Sequence, residues 1–166
     1  MLPPPAQQLS EPLSDPQSLY QMVSILQGAV ERGTGKQARV AGHTIAGKTG
    51  TTNDVKDVWF VGFSKNLIAG VYLGFDTPRS LGRGAGSHMA ARVFSDFMTN
   101  ALAGEKNQPF SVPDGMKFMR VNRRTGVSAS ADPSGTIIQE AFKPNQSPNP
   151  APARPVVTPT GRTVAS

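Results

Sequence analysis

Two continuous apolar runs, DVWFVGFS at residues 57–64 and LIAGVYLGFD at residues 67–76, are separated only by the polar turn Ser64-Lys65-Asn66. Both are rich in β-branched and aromatic residues, and a turn this short leaves no room for a crossover helix. The pair must therefore form an antiparallel hairpin. Unbroken apolar character, in place of alternation, predicts strands buried on both faces. HTIAGKTGT, just before them, is a third strand candidate.

Helices flank this group. In SDPQSLYQMVSILQGAVERGTG, Leu19, Met22, Val23, Leu26, Ala29 and Val30 recur at helical spacing on one stripe. Ser14 or Asp15 can cap the start, Pro16 suits the first turn and Gly33 ends it. A glycine-bounded connection follows at residues 34–42, and glycines and arginines fill residues 78–86. A second helix is predicted over residues 87–102, with Ala90, Val93, Phe94, Phe97, Met98, Ala101 and Leu102 facing the core and Gly104 closing it. Helix, three strands and helix make an α+β fold, an antiparallel sheet covered by helices.

Composition then divides the chain. Residues 1–13 are a proline-rich lead-in, 14–104 the main body, 105–143 a small β-rich appendage and 144–166 a proline-rich tail. The tail has too few large apolar groups to offset ordering entropy and is expected to be disordered. Lysine and arginine outnumber acidic residues by 17 to 11, for a net charge of +6, but the densest cluster holds only Arg120, Arg123 and Arg124. Nucleic acid is therefore not an expected partner. There is no cysteine, and His43 and His88 lack ligand-spaced companions, so neither metal nor cofactor is expected. No apolar run is long enough to span a bilayer, and the first residues carry no targeting signal.

The chemistry concentrates in GHTIAGKTGTT, residues 42–52, which reads in two ways. From Gly42 it is G-x-x-x-x-G-K-T, the phosphate-binding P-loop pattern, and VYLGFD ending at Asp76 even imitates the magnesium-holding strand. From Lys48 it is K-T-G, a signature of penicillin-binding enzymes and β-lactamases. A P-loop needs a helix directly after its lysine, yet Thr49, Gly50, Thr51, Thr52, Asn53 and Asp54 resist helix formation. It also needs a parallel βαβ crossover, and no helical pattern separates Lys48 from the next strand.

In a strand, Lys48 and Gly50 share one face and Thr49 and Thr51 the other. An extended peptide can join such an edge: glycine admits its backbone, threonine hydroxyls can bind a carboxylate, and lysine adds positive charge. Three letters alone would sooner describe a threonine- and glycine-rich edge strand with a solvated lysine.

The surrounding residues decide more. IAGKTGTTNDVKDVWFVGFS, with LQGAVERGTG before it and GVYLGFDTPRSLG after it, resembles the transpeptidase domain of class A (bifunctional) penicillin-binding proteins, and is 1A-like among them. G-K-T-G-T-T-N-D followed by D-x-W-F-x-G is the specific part. The resemblance runs from about Leu9 to Leu102 and on through the appendage to Lys143. It implies a partial serine-transpeptidase domain bearing a small β appendage.

It also implies a reaction in which a serine of S-x-x-K attacks the D-alanyl-D-alanine end of a peptidoglycan stem peptide, and β-lactams acylate that serine. Lys48, Thr49, Gly50 and Thr51 would be the substrate-binding strand, with the Thr51 amide as an oxyanion-hole donor. Thr34, Gly35, Trp59 and Phe60 would shape or support the cleft. The parent family works at the periplasmic face of the bacterial inner membrane.

No serine here has lysine three positions later. S-x-N occurs at Ser64-Lys65-Asn66 and Ser147-Pro148-Asn149, but after K-T-G, against the family order. No complete catalytic set is present. The expectation is a carboxy-terminal fragment, inactive alone, with Met1 an internal or misassigned start and the preceding part of the domain as its structural partner. A non-catalytic wall- or protein-binding module is the alternative. Arg92, where the family would place proline, leaves the start of the last helix open.

Overall fold

The computed structural model describes residues 14–82, 86–129 and 136–150. The lead-in, residues 83–85, residues 130–135 and the tail beyond Pro150 lie outside the described residues, and with them the expectations made for those segments.

Helix α1 spans Pro16–Glu31. Asp15 caps it, its carboxylate accepting from Ser18 N–H at 2.9 Å, with Pro16 in the first turn and the helix ending just before Gly33. Bonds from Ser18 and then the nearby Lys143 ammonium, at 3.1 Å, hold the Asp15 carboxyl well below the usual carboxylate range. A depressed folded pKa stabilises above the unfolded value of about 3.9 and is lost as pH falls through the folded one. Acidifying from about pH 5 to 2 is therefore expected to lower the melting temperature of the native chain more than that of Asp15→Asn, which keeps a cap acceptor but no charge. Equal pH slopes in the two melting series would refute this.

Strands β1 (Ala46–Thr51), β2 (Val58–Phe63) and β3 (Ile68–Leu73) form an antiparallel sheet in that order. Ser64 N–H donates to Leu67 O at 2.9 Å and closes the β2–β3 turn where the polar residues predicted it. Helix α2, Ser87–Ala101, lies across one sheet face. Its start needs no proline: Gly86 occupies the cap and Arg92 sits exposed inside the helix.

The core is the layer between that face and the helices. Val58 and Phe60 point into it from β2, and Val30, Ala38, Val40, Ile45, Ala90, Ala91, Phe94, Met98 and Leu102 complete it. Phe60 and Phe94, both fully buried, pack with their rings tilted at 56° and centroids 4.7 Å apart. The connection after α1 is part of this core. A 3-10 turn, Lys36–Ala38, delivers Ala38 and Val40 beneath α2, where Ser95 Oγ donates to Arg39 O at 2.7 Å.

Three sequence expectations need correction. The hairpin is buried on one face only: Trp59, Val61, Ile68 and Tyr72 alternate outward and are exposed, because no described element covers that side. On α2 the buried lane is Ala90, Ala91, Phe94, Met98 and Leu102, while Val93, Phe97 and Ala101 face out; an apolar band this wide exceeds what one sheet face can cover. On α1 only Val30 is fully buried, and Leu19 and Met22 are exposed. The amino-terminal turns of α1 run past the sheet and meet the appendage instead.

That appendage is an antiparallel hairpin of β4 (Lys117–Asn122) and β5 (Ile137–Phe142). It is fastened to α1 by Gln21 Nε2 donating to Ala141 O at 2.9 Å, by the Arg32–Glu140 pair at 3.6 Å, and by an edge-to-face contact of Tyr20 with Phe118. Residues 144–150, placed in the expected disordered tail, follow a defined path: Ser128 N–H donates to Asn149 O at 2.8 Å.

Candidate functional site

The K-T-G residues all lie in β1, the edge strand of the three-stranded sheet. The register pairs Lys48 with Val61, Thr49 with Phe60, Gly50 with Trp59 and Thr51 with Val58. Lys48 and Gly50 thus share the open face with Trp59 and Tyr72, while Thr49 and Thr51 point to the helix-covered side.

Which backbone groups stay unpaired follows from one bond. Thr52 N–H donates to Asp57 O at 3.0 Å, so residue 52 faces β2. Antiparallel alternation then turns Gly50 and Lys48 inward as well, and leaves the N–H and C=O of Thr49 and Thr51 facing outward from the sheet edge. The Lys48 ammonium lies along this edge, donating to Thr49 O at 3.0 Å and to Thr49 Oγ1 at 3.3 Å. Thr34, from the turn after α1, brings its hydroxyl within 2.9 Å of that of Thr49. Edge amides, three hydroxyls and a lysine cation are together a surface for an extended, carboxylate-bearing peptide.

The two glycines of the motif differ. A Cβ on Gly47 would stand 2.7 Å from both Phe60 Cζ and Val61 O and 2.8 Å from Gly62 Cα. On Gly50 it would meet only Trp59 Cβ, at 3.3 Å. The fold itself requires Gly47; it does not require Gly50. Gly35 is buried against Ala29 and Phe60, so it supports the packing beside Thr34.

Beyond β1 the chain makes a 3-10 turn, Asn53–Val55, in which Asp54 and Val55 take φ of 63° and 52°. Left-handed backbone at a β-branched residue is costly, and the turn is held by Val55 N–H to Thr52 O at 3.2 Å and Leu81 N–H to Val55 O at 3.0 Å. The Tyr72 hydroxyl donates to the Asp57 carboxylate at 2.8 Å, a bond that raises the tyrosine pKa and that the sequence reading did not single out. Its only trace in sequence is the aspartate of D-x-W-F, two residues before the tryptophan that stacks on Tyr72 at 4.7 Å.

This geometry excludes the nucleotide reading. Lys48 is followed by strand rather than helix, the sheet is antiparallel, and Asp76 is exposed past the end of β3 with β2 between it and the lysine. Ser64-Lys65-Asn66 lies in the β2–β3 turn beyond the Ala46–Phe63 pair, at the opposite end of β1 from Thr51. Ser147-Pro148-Asn149 runs beside the appendage.

Comparison with known proteins agrees. Residues 5–99 match the family profile of the penicillin binding protein transpeptidase domain. The chain is 49% identical over 134 residues to penicillin-binding protein 1A of Rickettsia felis, and 43% identical over 129 residues to that of Neisseria flavescens. These alignments take in 80% and 73% of this chain but only 16% of each relative's length. The crystal structure of penicillin-binding protein 1A from Haemophilus influenzae matches with a TM-score of 0.63 at 29% identity, over 82% of this chain and 21% of that one.

Proposed function

The chain belongs to the penicillin-binding protein transpeptidase family, and from that premise we propose that it supplies the substrate-binding wall of a peptidoglycan D,D-transpeptidase. The observation that carries this reading is the free edge of β1, where the outward amides of Thr49 and Thr51 lie beside the Lys48 ammonium. A D-alanyl-D-alanine terminus would add to this edge as a short extra strand, with its carboxylate near Lys48 and the hydroxyls of Thr49 and Thr51. Gly50 leaves room for it. The outward N–H of Thr51 would donate to the oxyanion formed when a nucleophile attacks the penultimate carbonyl, a role worth about 100- to 1000-fold in rate for such donors.

The nucleophile would come from the part of the transpeptidase domain that carries S-x-x-K, because this chain has no such motif. That part would also cover the open face of Trp59, Val61, Ile68 and Tyr72. The reaction would take place on the periplasmic face of the inner membrane; among the described residues no helix is long and apolar enough to cross it.

A fluorescent penicillin, followed by denaturing electrophoresis, is expected to give no covalent band at 17.5 kDa. A band there would mean that this chain has its own nucleophile. Titrating diacetyl-L-Lys-D-Ala-D-Ala against the isotopically labelled chain should shift the Thr49 and Thr51 amide resonances, and Lys48→Ala should weaken that binding about fivefold, the scale of an exposed ion pair. Shifts confined to other elements would refute the edge-strand role.

A further inference from the structure

One stripe of α1, Tyr20, Ser24, Gln27 and Glu31 at i, i+4, i+7 and i+11, is polar, and it faces the appendage rather than open solvent. Between this stripe and the β4–β5 hairpin runs a groove of about 300 Å³, the lower end of the range for small-ligand sites. Its aromatic wall is Tyr20 and Phe118, in edge-to-face contact at 6.2 Å, with Phe118 as a residue 47% exposed.

The polar groups in the groove are mostly neutral and uncommitted. Gln27 Nε2 donates to Glu31 Oε1 at 2.7 Å, leaving its own oxygen available. Among the described residues neither the Ser24 hydroxyl nor the Gln139 amide has a side-chain hydrogen bond. At the charged end one cation serves two carboxylates, Arg32 bridging Glu31 at 2.9 Å and Glu140 at 3.6 Å. Burial raises the Glu140 carboxyl pKa, against the pull of Arg32. Gly28 is what allows this arrangement, since a Cβ there would stand 2.5 Å from the Arg32 guanidinium. The groove therefore offers ring faces, amides and hydroxyls, and no positive charge to spare.

Such a lining fits a ligand with apolar ring faces and many neutral hydrogen-bonding groups, and it suits a carboxylate poorly. We infer that the groove between α1 and the β4–β5 hairpin binds an N-acetylated sugar of the wall glycan. The choice of glycan rests on the transpeptidase reading, while the site is separate from the β1 edge. A glycan strand held here would keep the stem peptides it bears close to β1.

The probe is a chitin tetrasaccharide, a chain of N-acetylglucosamine, titrated against the labelled 166-residue chain by two-dimensional NMR. Saturable shifts are expected at Tyr20, Ser24, Gln27, Phe118 and Gln139. Phe118→Ala should weaken binding about tenfold, the loss of one well-placed ring face. Because Phe118 also packs on Tyr20, Gln139→Ala, an exposed position, provides the second variant and should weaken binding about fivefold with an unchanged melt. Absence of saturable shifts, or shifts mapping elsewhere, overturns the inference. So does a response of these residues to the stem tripeptide and not to the saccharide. The β1 reading is judged separately by the amides of Thr49 and Thr51, so either proposal can fail without the other.

Discussion

Replacing Phe60 with alanine is expected to lower the melting temperature of this chain steeply, while the same change at its neighbour Trp59 leaves it nearly unchanged. Phe60 is fully buried, its ring 4.7 Å from that of Phe94 and packed over the paired glycines Gly47 and Gly62. Truncating such a ring costs about 3–5 kcal/mol, because the lost transfer energy adds to that of a cavity the surrounding backbone cannot fill. A small domain holds only about 5–15 kcal/mol in total. Trp59, one residue earlier, is 45% exposed on the open face, with its ring 4.7 Å from that of Tyr72. Its loss should cost about 1 kcal/mol, the scale of one aromatic pair. Thermal denaturation followed by circular dichroism compares the two. Equal losses would mean that the open face is covered in solution, which would itself reveal association through it.

The second large effect separates the motif's two glycines. Gly47→Ala places a methyl group 2.7 Å from a backbone oxygen and from the buried Phe60 ring, neither of which can yield cheaply. Overpacking of this kind costs about 1–3 kcal/mol, and here it would also pry β1 from β2. Gly50→Ala meets only Trp59 Cβ at 3.3 Å, so its stability should change by about 0.5 kcal/mol or less. Its effect should fall on the peptide titration instead, because the new methyl group stands on the strand that the peptide must approach. If Gly50→Ala destabilised the chain as much as Gly47→Ala, both glycines would be structural, and the edge would lose one argument for binding.

Much of this architecture was legible in the residues. The short polar turn at residues 64–66 left only an antiparallel hairpin, and Asp15, Pro16 and Gly33 marked the limits of α1 because caps are local chemistry. The refusal of Thr49–Asp54 to make a helix placed Lys48 in a strand and so decided against the P-loop. The wide apolar band of α2 was read correctly as a helix but not as to its buried lane. Sequence lists every apolar residue that some partner covers, and among the described residues α2 packs on the sheet face and the Lys36–Ala38 turn, which together leave Val93, Phe97 and Ala101 exposed.

What sequence by itself determined is therefore the set of elements, their antiparallel order and the position of K-T-G on an extended segment. Each follows from interactions spanning a few residues: periodicity, caps and turn length. Tertiary structure alone decided which face of the hairpin is covered, that the Thr34 hydroxyl meets that of Thr49, and that the amides of Thr49 and Thr51 face outward. The last depends on a single bond, Thr52 to Asp57, which sets the parity of the whole strand. Shifting that pairing by one residue would turn the same amides into the sheet with the sequence unchanged, because period-two alternation fixes only which residues point the same way, and the neighbouring strand fixes which way that is.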